Sequence, residues 1–77
     1  MKKVIVYTSD VCPYCVMVKN FLNQNNVEFE EVNLSQNKEK AEEIAKKSGV
    51  RSVPVTEIDG EIVVGYNIKK LKELLGL

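Results

Sequence analysis

Two cysteines three positions apart, Cys12 and Cys15, are the residues of this 77-residue chain best suited to covalent chemistry. Residues i and i+3 lie on one face of a helix, so two thiols at this spacing come within disulfide distance. Pro13 suits the first position of a helix. Cys12 then lies at the helix mouth, where unpaired N–H groups and the helix dipole favour thiolate over thiol. The spacing predicts thiol–disulfide exchange, with Cys12 as the exposed nucleophile and Cys15 as the shielded resolving thiol.

Two other uses of this cysteine pair stay open from the residues alone. A structural disulfide would close a short loop and contribute about 2 kcal/mol, and a reducing compartment would remove it. A metal site within one chain would be incomplete, because the chain has no histidine and two thiolates fill only part of a tetrahedral zinc shell. We expect no metal in one chain and keep a dimer that shares zinc or an iron–sulfur cluster as an alternative.

Two charged residues near the cysteines bear on the thiolate. Lys19 lies four residues after Cys15 on the same helix face, where it stabilises a thiolate, meets an anionic ligand or is simply solvated. Asp10 acts in the opposite direction if its carboxylate points at Cys12, because a nearby negative charge raises the pKa of a thiol. The sequence leaves open which of the two governs the thiolate.

Charge and composition exclude several classes of function. Eleven Lys and Arg balance eleven Asp and Glu, so the electrostatic footprint of a nucleic-acid or membrane-surface protein is missing. Nucleophile–histidine pairs are excluded by the lack of histidine. No apolar segment approaches the ~20 residues of a membrane span, and the apolar run that follows Lys3 is too short for a signal peptide. We expect a cytoplasmic, monomeric, single-domain protein spanning residues 1–77.

The apolar pattern predicts the elements that position the cysteines. A β-branched run over residues 4–7 is typical of a central strand buried on both faces. An apolar stripe at helical spacing then runs from Pro13 to the Asn-rich residues 23–26. A second strand is predicted over residues 27–34, where a switch of apolar parity indicates a bulge or a change of environment. A second helix starts loosely at Ser35.

The second half of the chain carries clearer boundaries. Gly49 stops the second helix, and an Asp-Gly pair joins strands predicted over residues 53–58 and 61–64 as a hairpin. Asn67 can cap the last helix. The order β-α-β-α-β-β-α predicts an α/β fold in which a four-stranded mixed sheet is flanked by three helices.

The tetrapeptide Cys12-Pro13-Tyr14-Cys15 resembles the active site of dithiol glutaredoxins, and the likeness covers essentially the whole chain. The resemblance implies a thioredoxin-like fold with Cys12 and Cys15 as the catalytic residues. It also implies glutathione as co-substrate, no tightly bound cofactor, and disulfide-containing or glutathionylated proteins as partners. The glutathione reductase system would then act indirectly, by regenerating glutathione.

Two further segments carry the resemblance and imply a glutathione groove. Ser52-Val53-Pro54 is similar to the family's Thr-Val-Pro, which implies a cis peptide before Pro54 and a Val53 backbone that pairs with an extended peptide. The segment from Gly65 precedes the last helix, where the family's backbone holds a glutathione carboxylate. Lys19 and Arg51 are candidates for the other carboxylate. The implied glutathione-binding residues are Tyr14, Lys19, Arg51, Ser52, Val53, Pro54, Gly65, Tyr66 and Asn67.

Departures from the family pattern bear on the electron donor. Ser9 stands where many members have a basic residue, and Val64 stands where they have a glycine. Asn67 replaces an aspartate and supplies no countercharge to the ammonium of glutathione. Gly65-Tyr66 resembles the glutaredoxin-like redoxins of ribonucleotide reductase, which take electrons from thioredoxin reductase. We expect glutathione-dependent reduction and keep such a redoxin as the alternative.

Overall fold

The structure is a computed structural model that describes residues 3–50 and 52–77. The elements follow the predicted order β-α-β-α-β-β-α, and every predicted strand and helix is present. In chain order they are β1 (Val4–Thr8), α1 (Pro13–Gln24), β2 (Glu30–Asn33), α2 (Lys38–Ser48), β3 (Val55–Ile58), β4 (Glu61–Val64) and α3 (Ile68–Leu75).

The four strands form one mixed sheet in the order β2-β1-β3-β4. β1 pairs with β2 in parallel, with Val6 opposite Glu31. It pairs with β3 antiparallel, with Val6 opposite Thr56, and β3 pairs antiparallel with β4. β1 is therefore a central strand, as its continuous apolar run predicts.

The two faces of the sheet bury separate apolar clusters. On one face Val4 and Val6 of β1 pack with Val18 and Leu22 of α1 and with Leu71 of α3, which together form the α1–α3 cluster. The other face is covered by α2. There a second cluster contains Tyr7, Ile44 and Val55, with Ile5, Val32, Leu34 and Ile62 packed against it. α1 therefore lies on the same side of the sheet as α3, and its first turn sits at the end of β1.

The boundaries of β2 explain the parity switch in the sequence. The strand begins at Glu30 rather than at residue 27. Val27 and Phe29 precede it and pack against the α1–α3 cluster, whereas Val32 and Leu34 pack against the α2 cluster. The change is one of environment, because the apolar side chains before the strand face one side of the sheet and those of Val32 and Leu34 face the other.

Other predicted boundaries move by a few residues. α2 begins at Lys38 rather than Ser35, because the side chain of Asn37 accepts the N–H of Lys40 and caps the helix. β3 begins at Val55, so the predicted start at residue 53 is wrong by two residues. The Asp-Gly turn is confirmed: Asp59 and Gly60 have φ of 49° and 89°, the left-handed pair that a two-residue hairpin of type I′ requires.

No helix in the described ranges is both long enough and apolar enough to pass through a membrane.

Thr56 is the buried polar residue whose replacement we expect to stabilise the fold. Its side chain faces the α1–α3 cluster beside Val6, and its fully buried hydroxyl has no hydrogen-bond partner among the described residues. Thr56→Val removes an unsatisfied polar group at nearly constant volume. We expect the free energy of unfolding, measured by urea denaturation, to rise by about 1 kcal/mol.

The matched control is Thr8→Val, the same substitution on the same face of the sheet. The Thr8 hydroxyl donates to Glu31 Oε2 at 2.9 Å, so this variant loses a hydrogen bond and should be less stable by about 1 kcal/mol. Equal shifts in the two variants would contradict the assignment of Thr56 as the unsatisfied group.

Candidate dithiol site

Cys12 is the N-cap of α1 and holds its sulfur at the helix mouth. Its backbone is extended, with φ −153° and ψ 92°, and Pro13 occupies the start of the helix, as predicted. The N–H of Cys15 donates to Cys12 Sγ at 3.1 Å. Cys12 is half-buried. A sulfur in this position lies at the positive end of the helix dipole and accepts a hydrogen bond from a backbone N–H. Both interactions favour its thiolate form.

Cys15 lies one turn further into α1 and faces the sheet. Only 2% of its surface is exposed. The Cys12 and Cys15 sulfurs are joined as a disulfide, with their Cα atoms 5.2 Å apart. The two cysteines therefore differ in exposure in the way that the spacing predicts, and the chain has the oxidised form of a dithiol site.

The acidic residue nearest to Cys12 in the chain, Asp10, is hydrogen-bonded to β2 and to the loop that follows it. The first turn of α1 contains no acidic residue. The carboxylate of Asp10 accepts from the Asn33 amide at 2.9 Å, and the Asp10 N–H donates to Ser35 at 3.1 Å. Asp10 is thus bound to the end of β2 and the loop that follows it.

Lys19 also turns toward β2. Its ammonium pairs with Glu31 Oε2 at 3.0 Å, and the same oxygen accepts the Thr8 hydroxyl at 2.9 Å. This partner is a carboxylate of the protein itself, and the roles of Lys19 toward a thiolate or an anionic ligand stay predictions. Lys19, Glu31 and Thr8 form a cluster, the Thr8–Glu31–Lys19 network, that links α1, β2 and β1.

The network makes stability depend on pH in the acid range. The hydrogen bond from Lys19, then that from Thr8, lowers the pKa of Glu31 below its usual 4.5, with partial burial acting against them. Because the folded pKa is depressed, this stability is complete above the unfolded value and is lost as pH falls through the folded one. Glu31→Gln should lower the free energy of unfolding at neutral pH by under about 1 kcal/mol.

The check is urea denaturation of wild type and Glu31→Gln at pH values from neutral to below the usual range of a carboxyl. We expect the difference between them to shrink at low pH. When both proteins also carry Lys19→Met, the difference in their free energies of unfolding should be small at every pH. A difference that stays constant with pH in the wild-type background would contradict the assignment.

The peptide between Val53 and Pro54 is cis, as the resemblance implies. Pro54 is buried, whereas Ser52 is exposed. Val53 is half-buried and precedes the first paired residue of β3, so its backbone groups lie outside the ladder. The N–H of Gly65 donates to the Pro54 carbonyl at 2.8 Å, which joins this segment to the one that leads into α3.

Gly65 requires backbone freedom, because its φ of 77° lies in the left-handed region that side chains disfavour. Tyr66 follows with 40% of its surface exposed. Asn67 caps α3 as predicted, since its side-chain oxygen accepts the N–H of Lys70 at 3.2 Å. That oxygen is therefore already engaged within the helix. Tyr14 is also largely exposed.

The structure joins some of the predicted groove residues. Pro54 and Gly65 are hydrogen-bonded to each other, and Tyr66 and Asn67 continue from Gly65 into α3. Lys19 instead binds β2 through Glu31. Arg51 lies outside the described residues, and its predicted role stays a prediction.

Sequence reasoning missed Thr8 and Glu31. Thr8 follows an apolar run, and the sequence predicts only that the strand ends there. In the structure Thr8 is 2% exposed, and its hydroxyl donates a hydrogen bond to Glu31. From the sequence, Glu31 indicates only a bulge or a change of environment within the second predicted strand. The only sequence signal was a threonine in phase with Val4 and Val6, on the face that must be buried.

The described residues contain no group of three or more Cys, Asp or Glu side chains arranged to hold a metal ion. A site shared between two chains stays a prediction.

Comparison with known proteins places this geometry in a family. The family model described as Glutaredoxin matches residues 4–63. A glutaredoxin-like 8.6 kDa protein in the rubredoxin operon of Clostridium pasteurianum is 34% identical over 70 residues, covering 91% of this chain and 93% of its own length. Glutaredoxin 3 of Escherichia coli is 38% identical over 65 residues, covering 84% and 78%.

A solved structure gives the same result for the fold. The crystal structure of the thioredoxin-like protein BC3987 superimposes with a TM-score of 0.86 at 40% identity, covering 94% of this chain and 99% of that one. The four-stranded mixed sheet with three helices is therefore a thioredoxin-like fold, as predicted.

Proposed function

The chain belongs to the glutaredoxin family of thiol–disulfide oxidoreductases, and from that premise we propose that it reduces protein disulfides and glutathione mixed disulfides, with glutathione as the electron donor. One observation carries the proposal. Cys12 Sγ lies at the mouth of α1, accepts the N–H of Cys15 at 3.1 Å, and forms a disulfide with the buried sulfur of Cys15.

The reaction follows from the unequal exposure of the two sulfurs. The Cys12 thiolate attacks one sulfur of a substrate disulfide, and the other sulfur leaves as a thiolate. Cys15 then attacks Cys12 Sγ, which forms the intramolecular disulfide and releases the second substrate sulfur. One glutathione opens this disulfide by bonding to Cys12. A second glutathione attacks the first, which yields glutathione disulfide and the reduced protein.

Glutathione binding is supported by backbone features of the chain. The Val53 backbone lies outside the β3 ladder beside a cis proline, in the position of a strand edge that pairs with an extended peptide. Gly65 has no side chain, so a ligand can approach its backbone just before α3. The N-terminus of a helix favours a carboxylate at that place. Tyr14, Ser52, Tyr66 and Asn67 would complete the groove.

The side-chain charges favour a second candidate, a redoxin reduced by a thioredoxin reductase. Lys19, a candidate partner for a glutathione carboxylate, pairs with Glu31 at 3.0 Å. The oxygen of Asn67 is engaged as the cap of α3 and carries no charge to meet an ammonium. Both observations favour a lower affinity for glutathione, and neither concerns the exchange chemistry of Cys12 and Cys15.

The deciding experiment supplies the same disulfide substrate with two reducing systems. One contains NADPH, glutathione reductase and glutathione, and the other contains NADPH and thioredoxin reductase. We expect turnover of a glutathione mixed disulfide with the first system. Turnover with thioredoxin reductase alone would replace glutathione by the second candidate, and no turnover with either would contradict the proposed function.

A further inference from the structure

A cavity lies beside Val53, at the end of the sheet where β1 leads into the loop before Cys12. Its volume is about 290 Å³, and Val53 is one of the residues that line it. Sites for small molecules typically measure ~300–1,000 Å³, so this space is at the lower limit of that range. It therefore suits one side chain of a bound chain better than a whole ligand.

The strand ends form one side of this cavity. Alternate side chains of a strand share a face of the sheet. Ser9 is in phase with Tyr7, and Leu34 is in phase with Val32, and both Tyr7 and Val32 belong to the α2 cluster. The Leu34 N–H donates to the Thr8 carbonyl at 2.8 Å, so the two strands stay paired up to this point. Because Ser9 and Leu34 line the cavity, it lies on the α2 face of the sheet.

Helix α2 forms the opposite side with two small residues. Ala41 and Ala45 line the cavity together with Ile44, which is buried. Residues three and four positions apart share a helix face, so all three point toward the strand ends. An alanine side chain ends at Cβ. The two alanines therefore leave room that a larger residue at either position would occupy.

The lining of the cavity is uncharged. None of the described residues that line it is an acid or a base. The Ser9 hydroxyl donates to the Val11 carbonyl at 3.4 Å, and Ser35 Oγ accepts the Asp10 N–H at 3.1 Å. A charged group would lose its hydration there without a countercharge among the described lining residues. The cavity therefore favours an apolar side chain.

The position of the cavity relative to Cys12 indicates which side chain could reach it. Cys12 caps α1, which packs on the face of the sheet opposite to α2. Successive side chains of an extended chain point to opposite faces. A chain that pairs with the Val53 backbone and turns its cysteine toward Cys12 therefore turns the two neighbouring side chains toward the α2 face.

We propose that this cavity, called here the α2 pocket, binds an aliphatic side chain directly beside the reacting cysteine of a protein substrate. The inference rests on the proposed function and adds a substrate preference to it. Glutathione has no apolar side chain next to its cysteine, so it leaves the α2 pocket unfilled. The pocket therefore favours protein disulfides with an aliphatic flanking residue over glutathione mixed disulfides.

The test measures kcat/KM for symmetric disulfides of short peptides, with the reducing system that supports turnover. Because both halves of each disulfide are identical, attack on either sulfur gives the same products. One peptide has leucine on both sides of its cysteine, and the other has alanine at both positions. We expect kcat/KM to be about tenfold or more higher for the leucine peptide, as for other hydrophobic pockets that discriminate by size.

Variants of α2 test whether the pocket causes this preference. Ala45→Leu and Ala41→Val fill the cavity from the helix and should bring the ratio of the two kcat/KM values close to one. The matched control is Lys46→Leu, which adds an apolar side chain at the next position of α2, where the residue is exposed. It should leave the ratio as in the wild type.

A second measurement needs no change in the pocket. Cys15→Ser traps the leucine peptide as a mixed disulfide with Cys12, and nuclear Overhauser contacts are then recorded by NMR. We expect the leucine methyl groups to contact the methyl groups of Ala45 and Ile44. If the filled variants do not fold, these contacts decide.

The outcomes separate this inference from the function on which it rests. A wild type that reduces neither peptide contradicts the proposed function. An active wild type with equal kcat/KM for the two peptides, or a preference that Ala45→Leu and Ala41→Val retain, overturns the pocket. Leucine methyl groups that contact the exposed Val11 or Tyr14 rather than α2 would also overturn it.

Discussion

Replacing Cys12 with serine should bring every disulfide exchange catalysed by this protein down to the uncatalysed rate. The thiolate is the attacking species, and a serine hydroxyl in the same place does not exchange with disulfides. The helix mouth and the N–H of Cys15 would still be present, but without a sulfur to stabilise. The measurement is turnover of a glutathione mixed disulfide and of a protein disulfide with the better reducing system.

Cys15→Ser is the matched control, because it removes the other half of the disulfide. We expect it to retain the reaction with glutathione mixed disulfides and to lose most of the reduction of protein disulfides. The mixed disulfide of Cys12 should accumulate in the second case. Activity that survives in Cys12→Ser and disappears in Cys15→Ser would reverse the assigned roles.

Leu71→Ala should have the largest effect on stability. Leu71 is fully buried and belongs to the cluster formed with Val6, Val63 and Leu22. Truncating a buried leucine costs about 2–5 kcal/mol, and the whole stability of so small a domain is on the order of 5 kcal/mol. The eight residues of α3 are too few to stay helical without this packing.

We expect the melting temperature of Leu71→Ala to fall by roughly 10–30 °C, measured by circular dichroism. Leu77→Ala, which truncates a leucine that is 54% exposed, should change the free energy of unfolding by less than about 0.5 kcal/mol. Loss of α3 packing should also displace the segment from Gly65 to Asn67. Similar melting temperatures for the two variants would show that α3 does not depend on Leu71.

The local features of the site could be predicted from the sequence. Proline after Cys12 fixes the start of a helix, and the spacing to Cys15 puts the two sulfurs on one face. Asn67 before an apolar helical pattern predicts a cap. An Asp-Gly pair predicts its turn. Each of these features depends on residues within one turn of each other, so the neighbouring sequence is enough to specify it.

The cis peptide before Pro54 was predicted only from the family resemblance. Local sequence rules do not predict a cis bond at a proline in this position. The structure confirms the cis peptide. The boundaries of β2 and β3 were less predictable, because a strand extends only as far as a partner strand pairs with it, and that length is set by the whole sheet.

Only the tertiary structure decided where Lys19 goes and what Thr8 does. Glu31 is twelve residues from Lys19 and twenty-three from Thr8 in the chain, and the contact exists because β1 and β2 pair with Val6 opposite Glu31. The hydroxyl of Thr56 lacks a partner for the same kind of reason, since its strand places it against apolar neighbours. Strand register and helix packing determine which distant side chains meet, and neither is encoded in the few residues around any one of them.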